Sequence, residues 1–122
     1  MLPKNKINEF LEQVVERSYK GKLQWDIDER DQEFENDEEP IGYPSTTTLA
    51  PNYLRIAQVR YKIWSDEDRF DWESRIVLDF VDSAGKLLWR FPPNPKIPEL
   101  YEVVRFESSG IADAMTSFLK SD

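Results

Sequence analysis

Proline is absent from Asn52 to Phe91, while the stretches on either side, 40–52 and 92–98, are dense with it. Proline donates no ladder hydrogen bond and is kept out of central strands. The distribution therefore places an antiparallel sheet inside 52–91 and its connections outside. Two turns divide that stretch. Ser65-Asp66-Glu67-Asp68 reads as a four-residue hairpin loop, which sets Trp64 opposite Arg69, Lys62 opposite Asp71 and Arg60 opposite Glu73. In the same register Ile63 meets Phe70 and Tyr61 meets Trp72, so opposite charges and rings align as cross-strand pairing favours. A second turn falls at Asp82-Ser83-Ala84-Gly85, which sets Phe80 opposite Leu87, Leu78 opposite Trp89 and Ile76 opposite Phe91.

This register predicts two unlike faces. Tyr61, Ile63, Phe70, Trp72, Ile76, Leu78, Phe80, Leu87, Trp89 and Phe91 form a core face. Arg60, Lys62, Asp71, Glu73, Arg75 and Asp79 form a solvated ladder behind it. Leu54, Ile56, Val77, Val81 and Leu88 point the same way as the ladder and make an aliphatic patch at one end. That patch is covered either by the 40–52 loop, with Ile41, Tyr43 and Leu49, or by a partner or second copy.

Outside the proline-free stretch the periodicity changes. Ile7, Phe10, Leu11, Val14, Val15 and Tyr19 recur at helical spacing, with Gly21 as the stop. Leu23 to Asp28 alternates and predicts a first strand. After the crossover 92–98, Leu100, Tyr101, Val103 and Val104 predict a second helix. Ser108-Ser109-Gly110 ends it, and Ile111, Ala114, Met115, Phe118 and Leu119 predict a third. The expected fold is a single α+β domain over 1–122, in the order α-β-β-β-β-α-α. It has an antiparallel sheet of about four strands with the helices packed on one face. An acidic and Pro/Thr-rich loop, 29–52, is inserted after the first strand. At 122 residues no TIM barrel or two-half dinucleotide fold fits.

Charge is concentrated. The net charge is −8, yet nine acidic residues and one basic residue, Arg30, lie between Asp26 and Glu39, and the remainder is balanced. Asp31, Glu33, Glu35, Asp37, Glu38 and Glu39 are therefore candidate contacts to a basic protein partner, the alternative being a solvated linker. A balanced body without clustered Lys and Arg argues against direct nucleic-acid binding. The run 26–37 faintly resembles an oxygen-ligand loop, but it lacks the glycine at its sixth position and the glutamate at its twelfth, where Asp37 stands.

Histidine and cysteine are both absent. Thiolate and imidazole metal sites, cysteine nucleophiles and serine–histidine triads are thereby excluded. Asp71 and Glu73 share a strand face but sit opposite Lys62 and Arg60 in the expected register, as surface ion pairs would. The four glycines are dispersed and form no phosphate loop. No catalytic, cofactor or metal residue is assigned. The longest aliphatic run, Ile76-Val77-Leu78, spans no bilayer, residues 1–6 show no secretory signal, and a cytoplasmic location is expected.

The helix, the segment Gly21-Lys22-Leu23-Gln24-Trp25, the turn Asp82–Gly85 and the helix opening Leu100-Tyr101-Glu102-Val103-Val104-Arg105 together resemble a loose group of small bacterial proteins. The resemblance implies the same helix–meander–helix architecture and carries no activity. The functional expectation is a non-catalytic adaptor, inhibitor or immunity-type module that meets a protein partner through the acidic segment and the aliphatic patch. The alternatives are an acidic nucleic-acid mimic that binds a DNA-binding protein and a carboxylate-dependent hydrolase or metal enzyme.

Overall fold

A computed structural model describes residues 4–121. The chain is α+β: one helix, a six-stranded sheet made of antiparallel pairs, then two helices. It divides into two compact units, one built from the chain ends, 1–26 with 94–122, and one from Ile27–Pro93.

In the first unit α1 (Lys4–Tyr19) buries Leu11, Val14 and Ser18, the stripe expected from the periodicity. Gly21 follows it at a φ of +72°, a left-handed conformation that suits glycine and stops a helix. Trp25 is buried, and its Nε1–H donates to Ser18 Oγ at 2.8 Å, so the one polar atom of the ring is satisfied. In α2 (Lys96–Ser108), which packs against α1, Ile97, Leu100 and Val104 are buried. Pro98 lies in its first turn, where a missing N–H costs nothing. Helix α3 (Ile111–Lys120) keeps its predicted apolar stripe, yet none of its residues is buried.

The sheet unit is dominated by one long hairpin, β4 (Asn52–Trp64) with β5 (Phe70–Val81). Beside β4 lie β2 (Glu38–Pro40), paired with residues 59–61, and β3 (Ser45–Leu49), paired with residues 52–56. On the other side, β6 (Leu87–Arg90) pairs only with the inner end of β5, at 79–81. The short β1 (Asp26–Ile27) adjoins β3. Six strands thus replace the expected four, because 29–52 contributes two of its own. The predicted strand from Leu23 shrinks to two residues.

The hairpin register also differs from the expected one, by a single residue. Trp64 faces Phe70, Lys62 faces Trp72, Arg60 faces Ser74 and Tyr61 faces Glu73, so the loop has five residues, Ser65 to Arg69. The Lys62–Asp71 and Arg60–Glu73 pairs do not form. The reason lies deeper in the hairpin. The observed register sets Arg55 against Asp79, both fully buried, whereas the four-residue loop would have set Arg55 against Leu78 and Asp79 against Leu54. Exposed ion pairs contribute about 0.2–1 kcal/mol each, but an unpartnered buried charge costs about 3–5 kcal/mol. The buried pair outweighs the exposed ones.

The slip redistributes the faces. Even-numbered residues of both strands share one face and odd-numbered residues the other. The predicted core face and charged ladder are each split between the two. The second hairpin keeps its turn, with Gly85 at a φ of +80°, but a bulge between Phe80 and Val81 sets Phe80 opposite Trp89 rather than Leu87. Ring contacts join Phe91 to Phe80 and to Trp89, with centroids 5.6 and 4.6 Å apart.

Candidate functional site

The acidic segment folds back on the odd face of the hairpin. Glu33 N–H donates to Gly85 O, and Gln32 lies so close to Gly85 that an added Cβ there would meet its side chain at 2.9 Å. Phe34 packs on Ala57, Val59 and Val77. Asp37, at a φ of +68°, completes a turn in which Glu38 N–H donates to Glu35 O, and β2 follows. Aspartate tolerates this left-handed conformation better than most residues.

That path delivers carboxylates to arginines of the sheet. Arg55 donates from Nη2 to Asp79 Oδ2 at 2.7 Å and from Nη1 to Gln32 Oε1 and Glu33 O, while its guanidinium lies 4.0 Å from the Phe34 ring centroid. Arg90 donates to Asp79 through Nε and to Glu38 Oε2 through Nη1, at 2.8 and 2.7 Å. Arg75 reaches the same Glu38 oxygen at 2.8 Å, and Glu35 lies 3.1 Å from Arg90. Three guanidiniums are met by three carboxylates, and two of those, Glu35 and Glu38, come from the acidic segment. The Glu38 side chain is 2% exposed.

The titration behaviour follows from these contacts. Burial pushes the Glu38 carboxyl up, but hydrogen bonds from Arg75 and Arg90 outweigh it and hold it below the usual range. Asp28 is held low by Arg30, which chelates it through Nε and Nη2 and also donates to Ser83 O. Burial lowers Arg55 despite Asp79. Burial opposes the charge on Arg90 too, yet Asp79 and Glu38 more than compensate and raise it.

The sequence-derived candidates therefore have different fates. Glu38 and Glu35 belong to the arginine network. Glu33 accepts from Leu87 N–H, and Glu39 forms an exposed pair with Arg60 at 2.8 Å. Asp31 and Asp37 point to solvent. Leu54, Ile56, Val77 and Val81 are buried, on opposite faces of the sheet, and present no exposed patch; only Leu88 is exposed, at 48%. The 40–52 segment does not lie over the patch. Its residues 45–49 pair with β4 edge to edge, while Ile41 and Tyr43 are exposed. Asp71 and Glu73 are exposed, and Glu73 accepts from Tyr61 Oη–H. Among the described residues no group of three or more acidic side chains is placed to hold a metal ion.

One surface escaped the sequence reading. Arg60, Lys62, Trp64, Phe70 and Trp72 share the even face at the outer end of the hairpin. Arg60 lies 4.2 Å over the Trp72 ring, and the Lys62 ammonium lies 4.5 Å from the Phe70 centroid with Trp64 and Trp72 just beyond. Trp64, Phe70 and Trp72 are nevertheless 55%, 38% and 40% exposed. The signal was present: even positions carry two cations and a ring at the end of β4 and two rings at the start of β5, and a five-residue loop brings those positions together.

Among the described residues no helix is long and apolar enough to cross a membrane. No protein-family model matches the chain, and neither a curated protein nor a solved structure is similar to it.

Proposed function

We propose that this chain is a non-catalytic protein-interaction module, of the adaptor, inhibitor or immunity type, that engages its partner through the outer end of the long hairpin. The observation that carries the reading is the exposed array of Trp64, Phe70 and Trp72 with Arg60 and Lys62 laid over the rings. Rigid aromatic side chains and arginine are the residues that most often dominate binding energy at protein interfaces. Here they stand on a two-stranded ribbon and leave large ring areas in water. Asp66, Glu67 and Asp68 at the hairpin tip supply acidic groups beside the rings, and Asp31 and Asp37 add exposed carboxylates on the acidic segment, for a basic partner to meet. The segment 29–40 then has two roles: it neutralises the sheet arginines, and its outward carboxylates steer association. A reducing cytosol suits a chain without cysteine.

Affinity capture with the immobilised full chain tests the reading. Trp64→Ala with Trp72→Ala should abolish retention of a specific protein while circular dichroism stays unchanged. Asp31→Asn with Asp37→Asn should retain the partner but flatten the salt dependence of capture. Retention by the double tryptophan variant equal to that of the unaltered chain would show that the ring array is not the docking surface.

A further inference from the structure

The outer edge of β5 carries a second consequence, one that concerns the backbone rather than the ring face and stands independently of the partner proposed above. Ser65 N–H donates to Arg69 O, so odd-numbered pairs of the hairpin exchange the ladder hydrogen bonds. The even residues of β5 then point their N–H and C=O outward, as Leu78 does when its carbonyl accepts Phe91 N–H. Strand β6 covers that edge only near Val81, Phe80 and Asp79. Among the described residues no strand lies along that edge from Phe70 to Ile76, and Phe70 to Arg75 are all exposed. Phe70, Trp72, Ser74 and Ile76 thus offer a row of donors and acceptors to water. An open edge of that kind is a template for another strand.

We infer that the open edge of β5 pairs antiparallel with β5 of a second copy, with Ser74 opposite Ser74 on the dyad. The side chains select this occupant and this register. With Ser74 on the axis, Glu73 of each copy faces Arg75 of the other, twice, and Trp72 faces Ile76, twice. Moving the axis to Trp72 would set Asp71 against Glu73 on both sides, and moving it to Glu73 would set that carboxylate against itself. Like charges directly opposite each other destabilise a sheet, and opposite charges stabilise it. Within each copy Arg75 donates to Glu38 through Nε and Nη2 and lies 4.7 Å from the Tyr61 ring centroid, and Glu73 accepts from Tyr61 Oη–H at one oxygen, so the cross-edge pair uses the remaining Arg75 Nη1 and Glu73 Oε1. A two-fold pairing is self-complementary by construction and joins two sheets into one. The contact is short beside the roughly 800 Å² per partner of a standard interface, so the dimer is a weak one, with a dissociation constant on the order of 10–100 µM.

Sedimentation equilibrium of the full chain over about 5–500 µM brackets that constant. The unaltered chain should pass from monomer to dimer across the range. Ser74→Pro removes an N–H that serves only the open edge, so it should keep the hairpin and weaken the dimer at least tenfold. Glu73→Lys, which sets two cations together, should do the same and carries the test if the proline variant loses its circular dichroism spectrum. Because the chain has no cysteine, Ser74→Cys should form a disulfide-linked dimer on oxidation, whereas Glu67→Cys at the hairpin tip should not. A chain that stays monomeric at the highest concentration overturns the inference. So does a dimer that survives both Ser74→Pro and Glu73→Lys but is lost on Phe118→Ser, since the exposed face of α3 would then be the contact.

Discussion

The inner and outer halves of one hairpin use the same residue types to opposite ends. Near Arg55 and Asp79 the strands are flanked by β3 and β6 and covered by the acidic segment, and charge there is structural. Beyond Arg60 and Ser74 the rings stay 38–55% exposed beneath Arg60 and Lys62, and charge there is surface chemistry. Arg55 and Lys62 both lie over aromatic rings, yet Arg55 is fully buried and bonded to three acceptors while Lys62 is only half-buried. What separates them is coverage by neighbours, because low dielectric surroundings magnify both a satisfied charge and an orphaned one.

The sharpest way to break this contrast is Asp79→Ala. It leaves Arg55 buried without its carboxylate and removes a partner of Arg90, so unfolding in urea should show a loss of about 3–5 kcal/mol. Converting the pair together, Arg55→Met with Asp79→Leu, should cost far less than the single change, since a buried ion pair is replaceable by apolar groups of similar volume. If single and double variants are equally unstable, the inner half is not held by its ion pair.

Glu38 tests the cover. Its folded carboxyl lies below the unfolded range, so its contribution to stability is fully present above the unfolded pKa near 4.3 and is lost as pH falls through the lower folded value. Asp28, also held low, acts in the same direction. Unfolding free energy should therefore be flat from neutral pH to about 5 and fall steeply below about 4. Glu38→Gln should cost about 1–3 kcal/mol at neutral pH and make the acid limb shallower. An unchanged acid limb would mean that the segment does not hold the sheet.

The outer half should respond weakly. Lys62→Ala removes a cation from three rings at a half-buried site, worth about 0.5–1 kcal/mol by denaturation. Smallest of all, Glu39→Gln breaks an exposed pair with Arg60 and should change stability by no more than about 0.2–1 kcal/mol. A loss as large as that of Asp79→Ala at either position would erase the distinction between the halves.

The helices were legible because their signals are local: apolar spacing between Ile7 and Tyr19, a glycine at 21, and the Ser108–Gly110 break before Ile111. Strands β2 and β3, which lie in the stretch read as loop, were not legible, whereas β4, β5 and β6 were legible from the missing prolines. The relative register was not, because it depends on whether Arg69 belongs to the loop or the strand, and exposed pairs such as Lys62 with Asp71 offered a plausible alternative. Arg55 and Asp79, lone charges inside the apolar runs Leu54–Ala57 and Val77–Val81, were the residues that held the answer. Of the candidate site, the acidic run was visible, but its partners, Arg75 and Arg90, lie far along the chain.

The amino-acid order alone determined where the helices and the strands of 52–91 lie, since propensity, capping and alternation act over a few residues. It also determined how much charge the chain carries and where that charge is written. Only the tertiary structure decided what the charge does. A carboxylate in 29–40 becomes a structural ligand or a surface group according to whether a guanidinium waits beside it out of water, and that depends on strands brought together from distant positions.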